Sequence, residues 1–355
     1  MRRKLNVGVV AAGAGALLLV AACGGNGGEA GGEEAGGEEE VQWDLQGALA
    51  ADHWWAGVHE SFAEELDEAS DGTFEVTVHA GGSLGIPPAE VLEYVRSGRA
   101  DLIENTPSYT SGAWHDSLID SQQMLYPDYE AARDGWGLLR DEFDSELRER
   151  FNAKLLYGGP SDGQIIFTSQ RVESLEDLSG SVLRVSSEAQ AALFNSLPGV
   201  SATVLPSADT YTALERGTVD GVVSTTTNTE ASSWDEVVDY AVVLPVNFAF
   251  VFTAVNLDSY EALSEEHREA IDDAAALAEE EWSTAGEEAS QAALERLEEA
   301  GTVEFVEPDP EFAETLLEVA RPQWDAWAEQ GSPQAREWLD MLIAEGFPED
   351  YMDDA

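Results

Sequence analysis

The chain has 355 residues, of which 71 are acidic and 17 basic, so its formal net charge at pH 7 is −54. This length is enough for two ordinary domains with substantial cores. The acidic excess argues against nucleic acid or an anionic lipid surface as a partner, because like charges repel. Salt would screen the self-repulsion of the chain, and we therefore predict a high-salt habitat.

The N-terminal 40 residues are typical of an export and tethering segment. Arg2, Arg3 and Lys4 precede an apolar stretch that is short for a membrane span. Ala21-Ala22-Cys23 then resembles the lipobox of bacterial lipoproteins. We predict a lipoprotein signal peptide over residues 1–22, lipidation at Cys23, and a Gly/Glu-rich tether over residues 23–40. The globular part would then be extracytoplasmic and anchored by lipid to the cell membrane.

Strands and helices alternate through the next hundred residues. The hydrophobic pattern predicts, in order, a strand over 41–49, a helix over 57–69, a strand over 74–79, a glycine loop to residue 85, a helix over 89–99, a short strand over 101–103 and a polar loop over 105–111. This alternation predicts a parallel sheet that binds ligands at the carboxyl ends of its strands.

The remaining elements continue the same pattern. We predict a helix over 129–151, strands over 154–157 and 164–169 with a chain break and domain crossover at 158–163, a strand over 182–185, a helix over 188–195, an apolar strand over 200–205, two strand pieces over 241–255, a helix over 265–299 and tail helices after residue 309. The 265–299 helix is long enough to bridge two domains. Trp324, Trp327 and Trp338 are expected to anchor the core of the tail.

One arginine stands inside an apolar strand. Arg184 is flanked by Val182, Leu183 and Val185, and its charge cannot be removed. Its planar group could hold a carboxylate with two parallel hydrogen bonds. A structural ion pair with one of the many acids is an equally good interpretation at this point.

Several motifs around Arg184 resemble those of one protein family. Leu178-Ser179-Gly180, Arg184, the helix from Pro206 to Gly217 and Val219-Asp220-Gly221 follow in the order seen in solute-binding proteins of TRAP (tripartite ATP-independent periplasmic) transporters. The resemblance covers roughly residues 45 to 345 and implies an α/β, two-lobed periplasmic-binding-protein-like fold, with a ligand cleft and a long helix bridging both lobes. Lobe I would comprise residues 41–161 and 249–290, and lobe II residues 162–248 and 291–355.

The resemblance also implies a ligand site in the cleft. Arg184 would anchor a carboxylate. Ser224 and Thr225 stand where the family often has an asparagine, and Asn228 follows at a shifted position. Gln164 stands where some members have a second arginine. A small organic acid with one carboxylate, or a zwitterion, therefore fits better than a dicarboxylate.

Aromatic residues at predicted strand ends and loops could form the walls of the cleft: Trp54, Trp55, Tyr109, Trp114 and Phe248. Aromatic walls suit an apolar or cationic ligand body. Core packing is the alternative for each, and for the adjacent Trp54 and Trp55 we expect one ring in the core and one in the cleft. Glu104 could complement a ligand cation or lie on the surface.

The motifs of catalysis are missing from the sequence. The five histidines show no metal spacing, and no Gly-x-Ser-x-Gly elbow or P-loop occurs. We therefore expect a monomeric binding protein without cofactor or metal that delivers its ligand to TRAP membrane subunits. A ligand-sensing lipoprotein co-receptor remains an alternative, and a secreted hydrolase is a less favoured one because no nucleophile is recognisable.

Overall fold

The computed structural model describes residues 40–348. The predicted signal peptide, Cys23 and all of the tether except Glu40 lie outside the described residues. Between residues 40 and 348, no helix combines the length and apolar character needed to cross a membrane.

The strands of the described part are, in chain order, β1 (Val41–Gln46), β2 (Phe74–His79), β3 (Leu102–Asn105), β4 (Ala153–Pro160), β5 (Gln164–Thr168), β6 (Val182–Val185), β7 (Ser201–Val204), β8 (Gly221–Thr225), β9 (Tyr240–Asn247), β10 (Phe250–Asn256) and β11 (Glu304–Val306). They form a two-stranded sheet β1-β2, a three-stranded sheet β3-β10-β4 and a six-stranded sheet β11-β9-β5-β8-β6-β7.

The helices are α1 (Trp54–Ala69), α2 (Val91–Arg96), α3 (Pro107–Thr110), α4 (Tyr129–Phe151), α5 (Glu188–Asn195), α6 (Ser207–Glu215), α7 (Thr226–Ala231), α8 (Leu257–Ala262), α9 (Glu265–Ala300), α10 (Pro310–Gln330) and α11 (Pro333–Glu345). The bounds predicted for α4 and α5 are confirmed. The helix predicted from residue 57 begins at Trp54, because His53 caps it by accepting a hydrogen bond from the Trp55 amide. The predicted polar loop over 105–111 contains α3.

The prediction of a parallel sheet is only partly right. β1 pairs with β2 in parallel, and β6 pairs in parallel with both β7 and β8. In contrast, β10 is antiparallel to β3 and β4, and β5 is antiparallel to β8 and β9. The chain leaves the three-stranded sheet through the short β4–β5 connection and returns to it through the short β9–β10 connection, so β4 and β10, like β5 and β9, run in opposite directions.

The glycines near the predicted chain break are strand residues. Gly158, Gly159 and Pro160 belong to β4, so the break is limited to residues 161–163. A Cβ added at Gly158 would lie 2.8 Å from the Phe252 Cα, and one at Gly159 would lie 2.6 Å from the Trp282 ring. Glycine is therefore needed here for close packing and not for a turn.

The 36-residue helix α9 contacts both halves of the protein. Ser264 caps its start by accepting a hydrogen bond from the His267 amide. Its Trp282 packs near β4 and donates to the Pro160 carbonyl over 3.0 Å. Further along, the Ser290 hydroxyl lies 3.0 Å from the Thr226 hydroxyl of α7. The fold is thus α/β and two-lobed, with a long bridging helix.

The side-chain hydroxyl of Tyr129 forms hydrogen bonds with backbone groups of α9. Its hydroxyl donates to the Trp282 carbonyl over 2.9 Å and accepts a hydrogen bond from the Gly286 amide. These two groups are four residues apart, the spacing of a helical hydrogen bond. A Cβ at position 286 would lie 2.8 Å from the Tyr129 ring, so the insertion requires glycine. Side chains inserted into the helical ladder are a known cause of local bending.

The C-terminal helices complete the largest apolar core. Trp324 and Trp327 of α10 and Trp338 of α11 are all buried there, as predicted. Trp324 donates to the Gln123 carbonyl over 2.8 Å. The tail thereby covers the segment that leads into α4.

Candidate functional site

Arg184 is a buried cation with no carboxylate partner. It lies on β6, is 5% exposed, and its Nε donates to the Leu205 carbonyl over 2.9 Å. Its guanidinium carbon stands 5.3 Å from the centre of the Trp234 ring. Within residues 40–348, no acid lies at ion-pair distance from it, whereas these arginines do form ion pairs: Arg96, Arg133, Arg140, Arg148, Arg150, Arg171, Arg296 and Arg336.

The environment of Arg184 disfavours its own charge. Burial lowers the pKa of Arg184 to about 10, and Tyr109 opposes this effect. The described residues therefore do not form the structural ion pair that the sequence left open for Arg184. A guanidinium in this position is suited to receive an external anion.

Tyr109 lies on α3 and is influenced by the charges of both Glu104 and Arg184. Its side chain is 51% exposed, yet desolvation, followed by the charge of Glu104, raises its pKa, while Arg184 lowers it. An exposed ring that is nevertheless surrounded by protein is the geometry of a cleft wall. Tyr109 thus links the acid of β3 to the arginine of β6.

Glu104 is buried beneath this wall and is not a surface residue. Its Oε2 lies 2.7 Å from His59 Nε2, and its Oε1 accepts a hydrogen bond from the Ala48 amide over 3.0 Å. The other His59 nitrogen lies 2.8 Å from the Tyr157 hydroxyl. Both carboxylate oxygens of Glu104 therefore have internal partners.

Asp162 is a second buried acid, in the short connection between β4 and β5. It is 2% exposed and accepts hydrogen bonds from the hydroxyls of Thr227, over 2.6 Å, and Thr225. Burial raises its pKa, and the hydrogen bonds from these hydroxyls oppose the shift. Sequence reasoning missed Asp162, although a single acid between two apolar strands was a usable signal.

His53, at the start of α1, lies within electrostatic reach of Asp162. Burial lowers the pKa of His53, and the charges of Asp162, Glu104 and Asp52 oppose this shift. Because its Nδ1 accepts the Trp55 amide hydrogen, that nitrogen carries no proton in this arrangement. His53 is therefore neutral as it caps α1.

The predicted polar residues of β8 and its continuation are engaged with one another. Ser224 is buried, and its hydroxyl oxygen accepts a hydrogen bond from the Asn228 side chain over 2.9 Å. Thr225 caps α7 by accepting the Asn228 amide hydrogen over 3.1 Å. Gln164 is opposite Thr225 in the ladder and accepts a hydrogen bond from Gln190. These side chains line the edge of β8 and β5 on the Asp162 side.

Apart from Tyr109, the predicted aromatic residues lie in different surroundings. Trp54 and Trp55 both contact Trp282, with ring centres 4.9 Å and 6.0 Å away, and Trp54 is the more exposed of the two. Neither indole N–H of this pair has a hydrogen-bond partner within residues 40–348. Phe248 is 3% exposed and contacts Tyr129 edge to face.

Trp114 is in the core, and its assignment to the cleft is wrong. It is fully buried, and its ring centre lies 4.9 Å from that of Phe143 and 6.4 Å from that of Trp338. Helices α4 and α11 enclose it from both sides, which the local sequence around residue 114 does not reveal.

Five ionisable residues of the cleft lie within electrostatic reach of one another in turn: Arg184 of Tyr109, Tyr109 of Glu104, Glu104 of His53, and His53 of Asp162. In the part of the chain that the structure describes, no group of three or more His, Cys, Asp or Glu side chains could hold a metal ion.

A different recess, of about 560 Å³, lies between α4, β4 and α9. Its cations are already neutralised, since Arg140 pairs with Glu279 over 2.6 Å and Lys154 pairs with Asp272. Neither cation of this recess is therefore free for an anionic ligand, and the cleft around Arg184 is the better candidate.

Comparisons with known proteins identify the family and the fold. The profile of DctP, bacterial extracellular solute-binding protein family 7, matches residues 46–330. A solute-binding protein of Chromohalobacter salexigens is 27% identical over 68% of this chain and 72% of its own length. The ectoine-binding periplasmic protein TeaA of Halomonas elongata is 24% identical over 81% of this chain and 84% of its own.

Among solved structures, an extracytoplasmic solute receptor of Bordetella pertussis that binds pyroglutamic acid superimposes with a TM-score of 0.77. It is 20% identical, and the match covers 86% of this chain and 100% of the receptor. This likeness supports the two-lobed fold.

Proposed function

This chain belongs to the bacterial extracellular solute-binding protein family 7, and from that premise we propose that it captures a small organic acid in the cleft around Arg184. Members of this family are solute-binding receptors, so the chain is a binding protein and not an enzyme. We further propose that it delivers the ligand, as a monomer, to TRAP membrane subunits.

The observation that carries the proposal is the buried, unpaired charge of Arg184. In a chain with 71 acidic residues, a cation that is 5% exposed and has no acid partner within residues 40–348 is costly unless an anion joins it. A ligand carboxylate would supply that anion through two charge-assisted hydrogen bonds. Ser224, Thr225, Gln164 and Asn228 would add polar contacts nearby.

Binding would close the cleft by hinge motion. We propose that lobe I comprises residues 41–161 and 249–290, and lobe II residues 162–248 and 291–355. The short β4–β5 and β9–β10 connections would then be two segments of the hinge, and α9 would pass from one lobe to the other. Tyr109 would approach Arg184 from the opposite lobe, so closure would bury the ligand between them.

The number of carboxylates on the ligand is proposed to be one. TeaA of Halomonas elongata binds ectoine, and the Bordetella pertussis receptor binds pyroglutamic acid. Each of these compounds carries a single carboxylate. Gln164, engaged with Gln190, supplies no second positive charge for a dicarboxylate.

We also propose that Cys23 carries a lipid that anchors the protein at the outer face of the membrane. The Cys23→Ser variant is then expected to appear in the soluble extracytoplasmic fraction, whereas the wild type partitions into detergent. Equal partitioning of both forms would contradict lipidation.

The experiment that tests the function is a binding screen of residues 41–355 in high salt. Ligand at 100 times its Kd should raise the free energy of unfolding by about 2.7 kcal/mol, which is readily seen as a thermal shift. We expect shifts with compounds that carry one carboxylate, including pyroglutamate and ectoine, and none with uncharged sugars. A screen with no shift for any carboxylate would overturn the proposal.

A further inference from the structure

The cleft contains a buried acid that the carboxylate site does not use. Asp162 receives hydrogen bonds from two threonine hydroxyls, but within residues 40–348 no arginine or lysine forms an ion pair with it. Glu104, the other buried acid of the cleft, has His59 and a backbone amide as partners. A buried carboxylate without a counter-charge is unfavourable, as is a buried unpaired arginine.

Asp162 and Arg184 flank the same central strand but do not reach each other. Arg184 is opposite Val222 on one side of β8, and Thr225 is opposite Gln164 on the other side. Two strand spacings separate the backbones of β6 and β5 by about 10 Å, and Asp162 lies further along the strand axis. The charge of Asp162 accordingly has no resolved effect on the pKa of Arg184.

The surroundings of Asp162 are aromatic on the side of the other lobe. The Trp54 ring centre lies 4.9 Å from that of Trp282, which donates to the carbonyl of Pro160, two residues before Asp162. His53 stacks on Trp54 with ring centres 5.9 Å apart and meets Trp55 edge to face at 5.3 Å. His53 is neutral as a helix cap, so it brings no counter-charge. A carboxylate beside aromatic rings is a favourable environment for a delocalised or quaternary cation.

We propose that Asp162, with Trp54 and His53, forms a cation subsite, and that the ligand is a zwitterion whose carboxylate binds Arg184. This inference rests on the proposed binding function and narrows its ligand class. A zwitterion would give both buried charges a partner. A simple acid would satisfy Arg184 alone, and a dicarboxylate would bring a second negative charge towards Asp162.

Two probes of similar size separate these ligand classes. Ectoine and pyroglutamate are both small rings with one carboxylate, but the ectoine ring carries a delocalised positive charge and the pyroglutamate lactam is neutral. By titration calorimetry at one pH and one salt concentration, we expect the wild type to bind ectoine at least tenfold more tightly than pyroglutamate.

The Asp162→Asn variant tests the role of the carboxylate itself. It should weaken ectoine binding at least tenfold and leave pyroglutamate binding within threefold of the wild type, or tighter. Asp116→Asn is the matched control, because Asp116 is also buried and hydroxyl-bonded, but to Ser332 at the start of α11. It should change neither affinity.

Each contrary outcome has a distinct meaning. Equal wild-type affinities for the two probes, or an equal loss of both in Asp162→Asn, would overturn the cation subsite and leave the carboxylate-binding function standing. Binding of neither probe by the wild type would overturn the zwitterion inference, while the wider carboxylate screen would still decide the proposed function. If Asp162→Asn does not unfold cooperatively, the wild-type affinity ratio alone decides.

Discussion

Replacing Arg184 by methionine should have opposite effects on stability and on binding. Burial lowers the pKa of Arg184 from its usual value to about 10, so the charged form costs about 3 kcal/mol in the ligand-free fold, at 1.36 kcal/mol per pKa unit. This cost is relieved only as the pH rises above about 10, where Arg184 loses its proton in the folded state before it does so in the unfolded chain, and it is therefore fully present at neutral pH.

The methionine side chain removes the charge and retains most of the apolar contact with Trp234. The lost hydrogen bond to the Leu205 carbonyl is expected to cost about 1.5–3 kcal/mol, as for other bonds to charged groups. The two effects nearly cancel, so the free energy of unfolding should stay unchanged or rise by about 1 kcal/mol in Arg184→Met.

Binding should respond quite differently. Loss of two charge-assisted hydrogen bonds to a carboxylate is expected to cost about 3–5 kcal/mol, which raises the Kd by roughly 10²- to 10⁴-fold. Urea unfolding and titration calorimetry would measure the two effects. Arg216→Met, which changes an exposed arginine at the end of α6, is the control and should alter neither.

Two results would refute this reasoning. A loss of more than about 3 kcal/mol of stability in Arg184→Met would mean that the charge has a structural partner. A Kd within tenfold of the wild type would mean that the carboxylate binds elsewhere.

Three further predictions concern stability. Burial raises the pKa of Asp120 to about 7, so its contribution to stability is present at low pH and is lost as the pH rises towards 7. Between pH 5 and pH 8, the free energy of unfolding of Asp120→Asn in urea should therefore fall by about 2–3 kcal/mol less than that of the wild type. Parallel pH profiles of the two proteins would contradict this. Gly286→Ala should destabilise the protein by about 1–3 kcal/mol, because the new Cβ meets the Tyr129 ring. Gly137→Ala, in open space on α4, should instead stabilise it by about 0.5–1 kcal/mol. Equal effects of the two substitutions in chemical denaturation would contradict the close contact at position 286. The melting temperature should rise with NaCl because salt screens a net charge of −54, and a curve flat up to molar salt would count against this.

Much of the local structure could be predicted from the sequence. Helix α4, α5 and the start of α9 follow from apolar periodicity and from caps such as Ser264, whose effects extend over only a few residues. Asp220, directly before Gly221 at the start of β8, accepts the Val182 amide hydrogen over 2.8 Å through its carboxylate. Arg184 stood out for a similar reason, since one permanent charge inside an apolar strand is visible without knowing its neighbours.

The tertiary structure decided which buried groups share a space. Trp114 and Trp54 look alike in sequence, but α4 and α11 cover the first, and the second lies beside His53 near the cleft. Asp162 becomes important only because β5 runs antiparallel to β8 and brings Thr227 against it, while His53 arrives from the other lobe. Periodicity reports whether a residue is buried, whereas the partner that buries it is set by contacts between segments far apart in the chain. The sequence by itself therefore determined the order of elements and singled out Arg184, whereas the tertiary structure decided which acids lie buried near His53 and which tryptophans lie in the core.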